Sequence, residues 1–123
     1  MSNPTVGTLR TSDGLELPNC NPAFIWSDNS QYLAVPRWCR RFGVFLRQRL
    51  AIIDVANRAV YVSKFTYWLL LPKSFEGGKL EVQVSDSRGI SWPWKSDPIV
   101  LTVPTVLPSF TELKDFYREP GSK

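Results

Sequence analysis

A chain of 123 residues, of which 43% are apolar and 13% aromatic, has the composition of one globular domain, not of a disordered or collagen-like segment. Its 15 Lys and Arg residues outnumber the 11 Asp and Glu residues, which gives a formal net charge of +4. It contains no histidine, which removes the commonest general base, the commonest metal ligand and every Ser–His or Cys–His nucleophile pair. The sequence also lacks P-loop and dinucleotide-binding motifs. These features predict a protein that is not an enzyme and that uses no cofactor or metal.

The sequence also bears on location. Residues 1–18 contain no apolar run of the kind found in a secretory signal. The longest apolar run, YWLLLP at 67–72, is too short to cross a bilayer. Cys20 and Cys39 match no metal-binding spacing, and in a reducing compartment we expect small buried hydrophobic residues rather than a disulfide. A cytoplasmic location without membrane contact is therefore predicted.

Taken in chain order, the sequence predicts an irregular N-terminal segment at 1–20, followed by short strands. The strand-like runs are rich in β-branched and aromatic residues and lie at 23–26, 32–36, 44–46, 49–55, 59–64, 65–71, 79–85 and 99–103. Turn-forming residues separate several of them, at 28–30, 56–58, 76–78 and 86–89. The run KLEVQVS alternates apolar and polar residues, which is typical of a strand with one buried face.

The only convincing helix signal lies near the C-terminus. Ser109 and Glu112 have the spacing of a capping box, and Phe110, Leu113 and Tyr117 then fall on one face. This pattern predicts a helix over 109–118. The predicted fold is a single mainly β domain over 1–123. It is either one antiparallel sheet or a small sandwich, with about seven or eight short strands and a short C-terminal helix.

One stretch resembles a blade of a β-propeller of the WD40 or TolB type. FIWSDNSQYLAV followed by LAIIDVANRAVYV, within 22–64, has the strand and turn order of such a blade. The matching residues are Trp26, Ser27, Asp28, Tyr32, Leu33, Ala34 and Asp54. A closed propeller takes at least four blades of about forty residues, and this chain holds fewer than three. We therefore favour ordinary antiparallel hairpins. Asp54 is then either a buried acid with an arginine or backbone partner or a turn-capping residue, and turn preferences favour the second.

The positive charge is concentrated in one stretch. Residues 29–53 contain no acid but five arginines, so the rest of the chain carries a formal charge of −1. Trp38, Phe42 and Phe45 are interleaved with the arginines. Pro93 places the neighbouring tryptophans of ISWPWKSDP in a loop or at a sheet edge. Three interpretations remain open: an ordinary solvated strand face, a nucleic-acid surface, and a protein interface.

We expect a protein interface, because interface centres favour Trp and Arg and because the remainder of the chain is slightly acidic. The predicted partner-binding residues are Arg37, Trp38, Arg40, Arg41, Arg47, Arg49, Trp92 and Trp94. In size, charge layout and lack of catalytic motifs, the chain resembles bacterial immunity proteins. That resemblance implies a toxin or effector domain with an acidic surface as partner, blocked by direct binding. The alternatives are a nucleic-acid-binding β domain that uses residues 37–49 and a subunit of a larger assembly.

Overall fold

The computed structural model describes residues 7–12, 14–41, 44–67, 69–85 and 98–113. These ranges contain ten strands, one short helix and a 3₁₀ turn. The strands are β1 Gly7–Arg10, β2 Glu16–Cys20, β3 Ile25–Trp26, β4 Tyr32–Arg41, β5 Val44–Asp54, β6 Ala59–Val62, β7 Leu69–Glu76, β8 Lys79–Ser85, β9 Ile99–Thr102 and β10 Thr111–Leu113. The helix α1 is Val103–Val106, and the 3₁₀ turn Leu107–Ser109 follows it directly.

The strands form two antiparallel sheets, which confirms the predicted mainly β class. One sheet has the order β1-β2-β4-β5-β6-β10, with β3 also paired to β4. The other has the order β7-β8-β9. The strands outnumber the seven or eight predicted, partly because the N-terminal prediction was wrong. Within 1–20, β1 and β2 are strands, and their sheet buries Leu17 and Cys20, so this segment is not irregular where it is described.

The hairpin of β4 and β5 is the centre of the larger sheet. The two strands pair from Tyr32↔Asp54 to Arg41↔Val44, with one irregularity after Cys39. The sequence predicted three shorter strands here because arginines interrupt the apolar runs. The backbone ladder continues through them, because pairing uses main-chain groups and is indifferent to side-chain polarity.

Each face of this hairpin contributes to a separate hydrophobic core. The inter-sheet core lies between the two sheets and consists of Ala34, Leu50, Ile52, Leu70, Phe75, Leu80, Val82, Val84, Val103 and Phe110. The second core lies on the opposite face of the larger sheet and consists of Leu15, Leu17, Cys20, Leu33, Val35, Ala51, Ile53, Val60 and Val62. Strand alternation explains the division, because neighbouring residues of β4 and β5 point to opposite faces. Leu9 of β1 and Leu113 of β10, at opposite ends of the strand order, both pack on the second core.

One predicted strand is shifted along the chain. The run 65–71 was predicted as a strand, but β7 begins only at Leu69 and continues through Pro72 to Glu76. Tyr67 instead forms an isolated bridge to Gln48 of β5. Proline is tolerated in β7 because β7 pairs with β8 alone and its register shifts just after Pro72.

The C-terminal helix exists but not over 109–118. The helical residues are 103–109, and Pro104 at the start of α1 supplies a favourable first-turn residue. Residues 111–113 are β10, whose Glu112 pairs with Tyr61 of β6. The capping-box prediction was therefore wrong at these positions, because pairing to the edge of β6 satisfies backbone groups that a local helix would otherwise satisfy. Residues 114–118 lie outside the described part of the chain.

The predicted turns at 28–30, 56–58 and 76–78 are confirmed. Gly77 and Gly78 both have positive φ, at 58° and 77°, a conformation that glycine adopts without strain. The fourth predicted turn, at 86–89, lies outside the described residues.

Candidate binding site

Three of the five clustered arginines project from one face of the central hairpin. Arg37 lies directly opposite Arg49 in the β4–β5 ladder, and the next pair on that face is Cys39 opposite Arg47. The same face begins with Val35 opposite Ala51, which belong to the second core. The arginines therefore continue the row of apolar residues that forms this core.

A cavity of about 450 Å³ opens where the second core gives way to these arginines. Its walls come from β2, β4, β5, β6 and β10, and its lining residues are Asn19, Arg37, Trp38, Arg49, Val62, Thr111 and Leu113. We call it the arginine cavity. Asn19 and Thr111 stand four strands apart in the sheet order, which is about 19 Å in a flat sheet. The sheet therefore curves to bring both residues to one cavity.

Backbone carbonyls hold the two cavity arginines in place. Nε of Arg37 donates to the Pro18 carbonyl at 3.0 Å, and Nη1 of Arg49 donates to the Ser63 carbonyl at 3.0 Å. Both side chains are half-buried. The Arg49 guanidinium has five N–H donors in a fixed plane, so its bond to Ser63 orients the group without using its donors up.

Arg47 differs from its two neighbours. Its Nε donates to Oγ1 of Thr66 at 2.7 Å, and its Nη2 donates to the Thr66 carbonyl at 2.7 Å. Both bonds fasten the segment that follows β6 to the edge of β5. Arg47 is not among the residues that line the arginine cavity. We therefore assign Arg47 a structural role.

The remaining predicted site residues are only partly described. Arg40 and Arg41 continue β4, opposite Phe45 and Val44, and their side chains lie outside the described part of the structure. Trp92 and Trp94 lie in the range 86–97, also outside it. Of the predicted partner-binding residues, Arg37, Trp38 and Arg49 line one cavity together.

Sequence reasoning missed Asn19 and Thr111. Asn19 has a φ of 63°, and the β1–β2 register shifts beside it, so one extra residue is accommodated in β2. Asparagine tolerates this left-handed conformation better than most residues, which was a usable local signal. Thr111 carried no such signal, because its position depends on the pairing of β10 with β6.

Cys20 is buried and has a free thiol, as predicted. Burial raises the pKa of this thiol from 9.0 to about 11, and the charge of Arg37, opposite Cys20 in the sheet, acts in the other direction. The thiol is therefore protonated and unreactive at neutral pH. Cys39 forms part of β4, and its side chain is outside the described structure.

Asp54 is buried, at 5% exposure, and caps the turn at 55–58. Its carboxylate accepts from the Asn57 backbone N–H at 3.3 Å and from Nδ2 of Asn57 at 2.8 Å. Asp54 therefore fits both interpretations, since it is a buried acid with a backbone partner and also caps the turn. Asp54 opposes Tyr32 at the end of the hairpin far from the arginines, so it is not part of the arginine cavity.

Among the described residues, no group of three or more His, Cys, Asp or Glu side chains is placed to hold a metal ion. No helix within the same residues has the length and apolar character to span a membrane. Comparison with protein families, curated proteins and solved structures finds no match to this chain.

Proposed function

We propose that the chain is a cytoplasmic, non-enzymatic binding domain that receives an acidic group of a partner protein in the arginine cavity. The arginine cavity itself carries this proposal: Arg37 and Arg49 stand opposite each other at its wall, with Trp38 beside them. In the form that the sequence resemblance suggests, the chain is an immunity-type inhibitor, and the partner is a toxin or effector domain with an acidic surface.

The chemistry of the cavity favours a carboxylate. Planar guanidinium groups pair bidentately with carboxylates, and such charge-assisted bonds are stronger than neutral ones. The bonds to Pro18 and Ser63 hold the two groups in position before a ligand arrives, which lowers the entropy cost of binding. An aspartate or glutamate of the partner, placed beside Arg49 in the cavity, would form such a charge-assisted bond.

Several features support a protein partner over a nucleic acid. Single-stranded nucleic acids are bound by grooves that follow many phosphates. Here Arg47 is committed to Thr66, and the cavity that Arg37 and Arg49 line also has the apolar residues Val62 and Leu113 in its wall. Such a cavity suits one acidic side chain at the centre of an interface, where Trp and Arg are favoured.

The experiment is affinity capture of the tagged chain from its source lysate, with and without nuclease, at low and moderate salt. Wild type is compared with Arg49→Gln, which removes one of the two positive charges in the cavity lining but keeps a hydrogen-bond donor. Arg10→Gln is the matched control, because Arg10 is exposed on β1 and lies outside the cavity lining.

The proposal predicts one stoichiometric protein that survives nuclease and moderate salt with wild type and Arg10→Gln. Its affinity should fall by at least about tenfold for Arg49→Gln, since truncating one partner of a buried charge pair is costly. Recovery of nucleic acid with a steep salt dependence would instead assign the arginines to phosphate binding. Equal losses for Arg10→Gln and Arg49→Gln would show that net charge alone matters, and the proposal would be wrong.

A further inference from the structure

Three polar side chains of the arginine cavity keep hydrogen-bonding groups for a ligand. Within the described part of the chain, the Arg49 guanidinium donates to the Ser63 carbonyl through Nη1 alone, so its other N–H donors are available. Among the same residues, no hydrogen bond involves the side-chain amide of Asn19 or the hydroxyl of Thr111. The cavity therefore offers one cationic group and two neutral polar groups.

The same cavity has an aliphatic side next to Arg49. Ala51 pairs with Val62, and Arg49 is the next residue on that face of β5, so Arg49 and Val62 are diagonal neighbours. Thr111 lies directly opposite Val62, and Leu113, the next residue on that face of β10, also lines the cavity. A cationic group and aliphatic side chains therefore lie side by side in one wall.

The volume of the cavity, about 450 Å³, is larger than a single acidic side chain needs. A cavity of about 150 Å³ holds benzene, which has more heavy atoms than the side chain of aspartate or glutamate. An acidic side chain beside Arg49 therefore fits but leaves the aliphatic side of the cavity unfilled. A ligand that joins a carboxylate to an aliphatic group makes fuller use of the lining, because burial of aliphatic surface adds to the binding free energy.

The C-terminal residue of a chain presents these two groups together, and an internal residue does not. In an extended segment, consecutive side chains point to opposite faces, so the neighbour of an internal acidic residue points away from the cavity. In a C-terminal residue, the carboxylate and the side chain leave the same Cα atom. Its N–H and the preceding carbonyl are groups that the Asn19 amide and the Thr111 hydroxyl can pair with.

We infer that the acidic group that enters the arginine cavity is the C-terminal carboxylate of the partner, carried by a residue with an aliphatic side chain. The carboxylate pairs with Arg49, and the aliphatic side chain packs against Val62 and Leu113. Capture of a chain terminus is one of the recurring modes of peptide recognition. This inference rests on the proposed function, since it keeps the same cavity and names the acidic group that enters it.

The test uses defined tripeptides, titrated into the isotope-labelled full chain and followed by amide NMR shifts. The probe is acetyl-Gly-Ser-Leu with a free C-terminal carboxylate. Acetyl-Gly-Ser-Leu-amide lacks the carboxylate, and acetyl-Gly-Ser-Gly with a free carboxylate lacks the aliphatic side chain. Acetyl-Ser-Glu-Leu-amide has the same net charge as the probe but carries it on an internal side chain.

Two protein variants address the two parts of the ligand. Arg49→Gln removes the cationic group, and Arg10→Gln is the control for charge. Thr111→Phe places an aromatic ring opposite Val62, where it fills the aliphatic side of the cavity. Glu112→Phe is the matched control, because Glu112 is exposed, follows Thr111 on the other face of β10 and lies outside the cavity lining.

We expect wild type, Arg10→Gln and Glu112→Phe to bind the probe at least about tenfold more tightly than its amide. They should also bind it at least about fivefold more tightly than the other two peptides. Arg49→Gln should remove the preference for the carboxylate over the amide, and Thr111→Phe should remove the preference for a terminal leucine over glycine. Leu113→Ala, which should reduce the leucine preference, is the second variant should Thr111→Phe lose the dispersed amide spectrum of the fold.

The two proposals fail in different ways. If the internal-glutamate peptide binds wild type at least as tightly as the probe, and Arg49→Gln weakens that binding, the inference is overturned and the proposed function stands. The same holds if the carboxylate preference depends on Arg49 but the leucine preference is absent, or persists in both Thr111→Phe and Leu113→Ala. If Arg49→Gln binds the acidic peptides as tightly as wild type, or if no peptide binds wild type up to millimolar concentration, both are overturned.

Discussion

The two halves of the central hairpin belong to one antiparallel ladder but have different surroundings. In the first half, Leu33 and Ile53 lie in the second core, while Ala34 and Ile52 lie in the inter-sheet core. In the second half, Arg37 and Arg49 follow Val35 and Ala51 on the face of the second core, and they line a cavity. Along this face of β4, the side chains therefore change from the buried Val35 to the cavity-lining Arg37 within two residues. The difference comes from what covers each half, since the strands themselves are continuous.

The largest expected effect lies in the packed half. Ile52→Ala removes a fully buried side chain from between the sheets and should lower the free energy of unfolding by about 2–5 kcal/mol. Urea denaturation measures this change. Val100→Ala is the control, because Val100 is 58% exposed, and it should change the free energy of unfolding by no more than about 0.5 kcal/mol. A similar small change for Ile52→Ala would contradict the burial of this half.

The second prediction concerns Gln48, at the boundary between the halves. Gln48 is fully buried, and its Oε1 accepts from the Leu70 backbone N–H at 2.6 Å, which ties β5 to β7. Gln48→Leu leaves that N–H without its acceptor and should cost about 1–3 kcal/mol of stability. Nε2 of Gln48 has no partner among the described residues, so removal of this group offsets part of the cost. A variant more stable than wild type would show that the unsatisfied amide outweighs the bond to Leu70.

The third prediction separates arginines of the cationic half. Arg47→Gln removes the paired bonds to Thr66 and should lower the free energy of unfolding by about 1–2 kcal/mol while partner affinity changes little. Arg49→Gln should show the reverse pattern, with a loss of affinity that exceeds its loss of stability. Urea denaturation and a partner titration on both variants measure the two effects. Identical profiles for the two variants would remove the distinction between a structural and a ligand-binding arginine.

The smallest expected effect is a pH dependence of the free energy of unfolding that comes from Cys20 and appears only at alkaline pH. Because burial raises the Cys20 pKa from 9.0 to about 11, the thiol ionises in the unfolded chain before it ionises in the fold. The free energy of unfolding should therefore fall as pH rises from about 9 to about 11, and Cys20→Ala should reduce this dependence. Denaturation at a series of alkaline pH values measures it. An unchanged slope in Cys20→Ala would assign the dependence to other groups.

The packed half of the hairpin and several other strands and turns were largely predictable from the sequence. Runs such as AIIDV and KLEVQVS favour strands locally, and Asp28, Asn57 and Gly77 mark turns through their own conformational preferences. These are properties of a few neighbouring residues, and the structure agrees with them. The capping box at Ser109 was equally local but wrong, because β10 finds a distant backbone partner in β6.

In the cationic half, the cluster of arginine and tryptophan was evident from the sequence, but the cavity that some of these residues line was not. Arg37, Trp38 and Arg49 are among the partner-binding residues that the sequence predicts, because clustered arginine and tryptophan are conspicuous. It could not separate Arg47 from them, since that difference depends on where Thr66 lies after β6. It also could not place Thr111 at the same cavity, because the curvature of the sheet is a property of the whole strand order.

The most direct test of the arginine cavity is the dissociation constant of the captured protein partner for Arg49→Gln and Arg10→Gln, at one salt concentration. Both variants lose one positive charge, and only Arg49 lines the cavity. We predict at least about tenfold weaker binding for Arg49→Gln and wild-type affinity for Arg10→Gln. Equal affinities for the two variants would contradict the assignment of the cavity as the site that binds the partner.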